Sequence, residues 1–238
     1  MRVIYFIELM GLPGSYDSSV YDHFEDKDQE GKWFQKRYAY IQGFEIKTCN
    51  VCLGESPPDV DSADGFVLAG TYHSVHDNTE WQQKMLAWLP DVHNRKKPLL
   101  GICGSHQLMA YGLGANVEKR SNGPYAGTFD VNLTDAGKAS ALFRNIKDIA
   151  PFHFANGEQV TSVPEGGTLL ASSAEAKVAA LFYGNQSYST QFHPEASAES
   201  LGTVWMHSHP DWQRNYHDHD AGDQLIENFF EIVRQESV

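Results

Sequence analysis

The sequence predicts an α/β protein in which helices cover a mostly parallel β-sheet. Short apolar runs rich in β-forming residues alternate with segments of helical periodicity, which is the pattern of consecutive β-α-β units. With 238 residues, 41% of them hydrophobic and 21% charged, the chain can bury a large core. Because no internal repeat or low-complexity linker interrupts the sequence, we expect one domain that spans residues 1–238.

The amino-terminal half supplies most of the predicted parallel sheet. The apolar stretch at 3–9 is shorter than a secretion signal and lacks its cleavage site, so it predicts the first strand. Trp81, Met85 and Trp88 recur close to helical spacing, and we expect them to face the core from one helix. Further strands are predicted at 38–48, 65–69 and 98–102, and helices within 15–30, over 80–93 and over 105–113.

The carboxyl-terminal half has a different pattern. Short β segments are expected at 126–133 and between 168 and 192, where Gly, Asn and Ser separate apolar runs. An amphipathic helix is predicted at 223–235. The segment 198–222 is polar, aromatic and rich in histidine, and we expect it to be an insertion or loop before that last helix.

Composition excludes several classes of function. A formal net charge of −13 argues against binding to nucleic acid or to an anionic membrane, which both require basic patches. No apolar run is long enough to cross a bilayer. Three cysteines are too few for a disulfide framework and suit a reducing compartment, so we expect a cytoplasmic protein.

Cys103 is the strongest candidate for a catalytic residue. It follows the apolar run 98–102, and Gly101 and Gly104 stand on either side of it. A nucleophile on a sharp turn between a strand and a helix needs such small neighbours. The following helix directs its amino-terminal N–H groups at the sulfur, which favours the thiolate, and the N–H of Gly104 is well placed to stabilise an oxyanion. The alternative is a buried, inert thiol.

His193 and Glu195 form a second candidate pair. They lie at the end of a strand predicted at 187–193, where residues two apart face the same side. Pro194 keeps His193 extended and ends the strand. A carboxylate beside an imidazole fixes its tautomer and stabilises the imidazolium, which is the role of the third member of a catalytic triad.

These motifs together resemble the class I glutamine amidotransferase superfamily, in particular its GMP-synthase-like, stand-alone branch. The resemblance rests on Gly-Ile-Cys-Gly-Ser-His-Gln at 101–107, on Gln-Phe-His-Pro-Glu at 191–195, and on the segments 64–77 and 159–166, all in matching order. It implies a three-layer α/β/α sandwich with a doubly wound, mostly parallel, flavodoxin-like sheet.

The resemblance also implies a role for each site residue. Cys103 would be the nucleophile, His193 the general base and then acid, and Glu195 the residue that orients His193. The backbone N–H groups of Gly70 and Gly104 would form the oxyanion hole, and Gln107 would contact the substrate. Ser105 and Thr71 stand where the family usually has glycine.

The implied reaction is hydrolysis of the γ-carboxamide of glutamine or of a γ-glutamyl compound through a γ-glutamyl thioester. It requires no metal and no organic cofactor. Because no synthase motif follows Glu195, we expect a free-standing domain. It could hydrolyse a small γ-glutamyl substrate by itself, or act as the glutaminase subunit that delivers ammonia to a separate synthase. A non-catalytic relative that binds a metabolite or a partner is the third alternative.

Other candidate sites are weaker. A histidine cluster could bind a metal ion, but no carboxylate or cysteine pattern completes the site. The Cys-x-x-Cys motif has no helix behind it, which argues against a redox role. Two further histidines follow the strand at 65–69 and are candidates to line the active site. The residues concerned are His207, His209, His217 and His219 for the metal, Cys49 and Cys52 for the redox motif, and His73 and His76 for the pocket.

Overall fold

The computed structural model describes residues 1–206 and 208–235. Its helices and strands follow one another in the alternating order that the sequence predicts. In chain order they are β1 (Arg2–Glu8), α1 (Glu30–Arg37), β2 (Phe44–Asn50), β3 (Gly65–Leu68), α2 (Glu80–Asn94), β4 (Leu99–Ile102), α3 (Gly104–Gly112), β5 (Val117–Lys119), β6 (Tyr125–Leu133), α4 (Asp135–Ala139), β7 (Ile149–Asn156), β8 (Glu158–Val160), β9 (Thr168–Ser173), β10 (Ala180–Phe182), β11 (Ser187–Thr190), α5 (Ala198–Val204) and α6 (Gly222–Gln235).

A large mixed sheet forms the middle layer. In the described residues its strand order is β2-β1-β3-β4-β11-β10-β9-β6-β7, while β5 and β8 pair separately. The five strands from β2 to β11 are mutually parallel, and the remaining strands continue the sheet antiparallel. The strand order reverses between β1 and β3, as in a doubly wound sheet, and such a reversal opens a crevice at the carboxyl ends of the strands.

Helices cover both faces of this sheet, which gives the α/β/α layers. Alternate residues of β1 enter opposite cores: Phe6 packs in one and Ile7 in the other. The first core includes Phe34 of α1 and Phe230 of α6, and the second includes residues of α2 and α3 such as Met85. The fold class predicted from the sequence is therefore confirmed.

Two of the predicted element assignments are wrong, and the segment 198–222, expected to be an insertion or loop, contains some regular structure. The strand predicted at 38–48 begins only at Phe44, because Tyr38 caps α1 and Gly43 makes the turn with a φ of +89°. The helix expected within 15–30 is a 3₁₀ turn at Ser18–Tyr21, and α1 begins at Glu30. The segment 198–222 is partly helical rather than a plain loop, since it contains α5 and a 3₁₀ turn at Trp212–Asn215.

Across residues 1–206 and 208–235, none of the helices is both long and apolar enough to cross a membrane.

Candidate active site

Cys103 occupies a strained turn between β4 and α3. Its φ and ψ are +50° and −104°, a backbone conformation that a residue with a side chain rarely adopts. The turn holds because its neighbours are small: a Cβ on Gly104 would collide with Thr71, and one on Gly101 would collide with Met109. The thiol therefore lies at the amino terminus of α3, where the partial positive charge of the helix favours an anion.

Ser105 fits the turn in place of the expected glycine. Its side chain is buried, and its hydroxyl donates a 2.6 Å hydrogen bond to the carbonyl of Ala69 at the end of β3. The bond joins the start of α3 to the strand that leads into Gly70. Thr71, the other departure, donates to the carbonyl of Met10 at 3.3 Å and accepts from the N–H of His73 at 3.0 Å. Both side chains thus form hydrogen bonds near the thiol that glycine could not form.

His193 lies beside Cys103 and is held from two sides. Its Nδ1 is 2.8 Å from Oε1 of Glu195, and its backbone N–H donates to the carbonyl of His153 at 2.8 Å. The predicted strand ends earlier than expected, at Thr190, because the chain leaves β4 there and joins His153 instead. Burial by itself lowers the pKa of His193, but Cys103 and Glu195 raise it, and the net pKa lies well above its usual value.

Because Gly70 has no side chain, the imidazole of His193 and the side chain of Cys103 can lie next to each other beside it. A Cβ at this position would lie 3.1 Å from Cε1 of His193 and 3.5 Å from Cβ of Cys103. The carboxyl ends of three adjacent parallel strands, β3, β4 and β11, therefore bring the candidate residues together. Whether the N–H groups of Gly70 and Gly104 form an oxyanion hole stays a prediction.

Gln107 makes contacts that the sequence did not suggest. Its Nε2 donates to the carbonyl of Glu158 at 2.8 Å and to Oε1 of Gln191 at 3.1 Å. Gln191 in turn places its own Nε2 3.6 Å from the sulfur of Cys103. Gln107 therefore contacts Gln191, and Gln191 contacts the thiol. In the sequence, Gln191 was notable only as part of the motif at 191–195. A substrate contact for Gln107 stays a prediction.

A cavity of about 640 Å³ opens at this site. Cys103, His193 and Glu195 all line it. Much of the remaining wall is aromatic, and it comes from the region before and within α1, from the loop after β3 and from the end of α5. These aromatic residues include Tyr21, Phe24, Trp33, Phe34, Tyr72 and Trp205.

Glu30, at the start of α1, is a second carboxylate in the cavity wall, and sequence reasoning missed it. Its Oε2 is buried and has no hydrogen-bond partner within the described part of the chain. Burial raises the pKa of Glu30 well above its usual value, and the nearby carboxylates of Glu8 and Glu195 raise it further. No motif could have revealed this residue, because only the packing of α1 brings it close to Glu195.

The weaker candidates lie elsewhere. His73 pairs with Asp77 at 2.8 Å and His76 with the carbonyl of Val117 at 3.0 Å, and neither lines the cavity. Cys49 ends β2 and Cys52 lies in the next 3₁₀ turn; both are buried, free thiols. The described residues hold no group of three potential metal ligands, and His207 lies outside them.

Comparisons with known proteins show the family of the chain. The family model described as "Glutamine amidotransferase class-I" matches residues 33–209, so the chain belongs to the class I glutamine amidotransferase family. Among its relatives, γ-glutamyl peptidase 5 of Arabidopsis thaliana is 32% identical over 62% of this chain and 61% of its own length. A glutamine-hydrolysing GMP synthase of Bacteroides fragilis is 30% identical over 63% of this chain and 28% of its own length. The chain thus spans less than two thirds of these relatives.

Solved structures confirm the fold. A glutamine amidotransferase of Thermotoga maritima superposes with a TM-score of 0.76 at 17% identity, covering 99% of this chain and all of that one (100%). A putative GMP synthase subunit from Thermoplasma acidophilum superposes with a TM-score of 0.68 at 20% identity, over 98% of this chain and 94% of its own.

Proposed function

We propose that this protein is a cysteine hydrolase that cleaves the γ-carboxamide of glutamine or of a γ-glutamyl compound. The observation that carries the proposal is the convergence of Cys103, His193 and Glu195 on one cavity, with the thiol on a strained turn at the start of a helix. Membership of the glutamine amidotransferase family supports it. The similarity to a γ-glutamyl peptidase and to a glutamine-hydrolysing synthase supports the choice of substrate class.

The geometry suggests a role for each group in two steps. The Cys103 thiolate attacks the γ-carbonyl carbon, and the N–H groups of Gly70 and Gly104 stabilise the oxyanion. The imidazolium of His193, held by Glu195, gives its proton to the departing nitrogen, and a γ-glutamyl thioester remains. His193 then takes a proton from water, which attacks the thioester. The products are glutamate, the free amine or ammonia, and the regenerated thiol.

Product release tests this proposal. Purified protein incubated with glutamine, or with a small panel of γ-glutamyl amides, should release glutamate together with ammonia or the matching amine. Cys103→Ala should abolish release, whereas Cys49→Ala, which removes a buried thiol that does not line the cavity, should keep it. Release of glutamate by the Cys103→Ala variant would contradict the proposal. A folded protein that is inert towards every substrate would favour the non-catalytic alternative.

A second candidate function is that of a glutaminase subunit for a separate synthase. The observation that favours it is the superposition on the Thermoplasma acidophilum protein, a putative synthase subunit that this chain covers over 94% of its length. The glutaminase rate should then be low alone and rise at least about tenfold when a GMP synthetase subunit without its own glutaminase domain is added. A rate that the added subunit leaves unchanged rejects this second candidate.

A further inference from the structure

The cavity at Cys103 is larger than a reaction on glutamine alone requires. Its volume of about 640 Å³ lies within the range of about 300–1,000 Å³ typical of pockets that enclose drug-sized ligands. Glutamine releases only ammonia, which needs almost no room. A cavity of this size can hold both the γ-glutamyl group and a sizeable group attached to its nitrogen.

The position of His193 indicates where that second group lies. His193 protonates the leaving nitrogen in the proposed reaction, so the leaving group lies on its side of the thiol. The chain that follows His193 forms the wall there and leads directly into α5. Towards the end of α5 this wall is apolar, because Leu201, Val204 and the capping residue Trp205 line the cavity there. Ser197 and Ser200, at the start of the helix, hydrogen-bond to each other.

A second apolar wall faces α5 from the region before and within α1. Phe24 and Trp33 line the cavity, and both pack in the same hydrophobic cluster as Val204. The hydroxyl of Thr203 also lies 3.3 Å from Nε2 of His23. The two segments therefore meet beside the thiol and form one aromatic enclosure.

The charged side chains of the cavity wall do not favour a charged leaving group. Lys36 pairs with Asp26 at 2.6 Å, and Arg37 pairs with Asp223 at 2.9 Å, so both cations already have carboxylate partners. Burial raises the pKa of Glu30, which keeps this carboxyl in its neutral form over a wider range of pH.

We infer that the enzyme acts on γ-glutamyl amides whose amine carries an aromatic or bulky apolar group, and that this group packs between α5 and the aromatic residues Phe24 and Trp33. The inference rests on the proposed function and specifies its substrate class. Complementary apolar contacts raise kcat/KM for such a substrate above that for glutamine, because they remain in place in the transition state.

A panel of substrates with a common γ-glutamyl group tests the inference. The panel contains glutamine, γ-glutamyl-methylamide, γ-glutamyl-phenethylamide and the γ-glutamyl amide of 1,4-diaminobutane. We expect kcat/KM for the phenethylamide to exceed that for the methylamide at least about tenfold, since even one methylene in a hydrophobic pocket changes it about 10–200-fold. Equal values for these two amides, or a preference for the diamine, would overturn the inference.

Two variants of α5 locate the effect. Val204→Trp fills the cavity beside Trp205 and should lower the ratio of kcat/KM for the phenethylamide over the methylamide at least about tenfold, since the bulky group loses its space. Glu199→Trp adds the same side chain at an exposed position of α5 outside the cavity and should keep the wild-type ratio. If Val204→Trp also keeps the ratio, the apolar group does not bind against α5.

The same assays separate the inference from the proposed function. If the protein releases glutamate from every substrate at similar rates, only the inference fails. If no substrate is turned over and Cys103 does not react with a glutamine-like electrophile, the proposed function itself fails. A preference for the phenethylamide that persists in Cys103→Ala would contradict both.

Discussion

Two regions of the molecule meet at Cys103, and they are built differently. At the carboxyl ends of β3, β4 and β11, called the sheet end here, the strand residues are fully buried. The cover, defined here as residues 11–33 and 196–216, consists of 3₁₀ turns, loops, the short helix α5 and the beginning of α1. The sheet therefore determines where the reacting groups lie, whereas the cover determines what fits against them.

The largest difference should appear when the sheet end loses a reacting group. Glu195→Gln keeps the shape of the side chain but removes the charge beside His193, so we expect kcat to fall about 100-fold or more. The carboxylate is one of the groups that raise the pKa of His193, so this pKa should also fall. NMR titration of labelled histidine measures it. An unchanged kcat would exclude Glu195 from the reaction.

The next effect tests the space around the thiol. Gly104→Ala places a Cβ against Thr71 at the start of α3, and overpacking of this kind costs about 1–3 kcal/mol of unfolding free energy. We also expect a loss of activity, because the displaced backbone carries one N–H of the predicted oxyanion hole. Gly112→Ala, at the other end of α3, meets only the flexible end of Leu86 and serves as the control in chemical denaturation.

Ser105→Ala should lower stability about as much as Gly104→Ala, but it adds no atom beside the predicted oxyanion hole, so we expect a smaller loss of activity. The substitution leaves the buried carbonyl of Ala69 without its hydroxyl donor, which costs about 1–3 kcal/mol. Urea unfolding measures the stability, and kcat/KM reports whether the turn that carries Cys103 has moved. A variant as stable as the wild type would mean that Ser105 does not support the turn.

The matching change in the cover should have the smallest effect. Ser19→Ala also removes a hydroxyl that donates at 2.6 Å, in this case to Asp17, but both residues are exposed. Water replaces the lost partner, so we expect stability to change by no more than about 0.5 kcal/mol. A loss as large as that of Ser105→Ala would show that the cover is as tightly constrained as the sheet end.

The sequence predicted the sheet end better than it predicted the cover. Cys103, His193 and Glu195 belong to short local motifs at the ends of predicted strands, and the resemblance to a known family assigned the three motifs to one site. The start of the predicted strand at 38–48 was wrong. Tyr38 is buried because it caps a helix, and its burial produces the same alternation as a strand.

The sequence could not predict which residues of the cover line the cavity, and the reason is physical. Glu30 and Trp33 on α1 and Val204 on α5 lie far apart in sequence and carry no local motif. They share a wall only through the tertiary packing of irregular segments. The role of Ser105 was equally hidden, since the acceptor of its hydroxyl is the backbone carbonyl of Ala69, which follows β3 and is distant in the sequence.

Labelling of the thiols shows whether Cys103 is the nucleophile. The protein is treated with a chloromethyl ketone analogue of glutamine, with and without excess γ-glutamyl substrate, and then digested for peptide mass spectrometry. We expect one label per chain, located on Cys103 and suppressed by the substrate. Cys49 and Cys52 should stay unmodified, because they do not line the cavity and burial raises the pKa of both thiols to about 12. An enzyme that releases glutamate while Cys103 stays unlabelled, or while the label lies on another cysteine, would contradict the account.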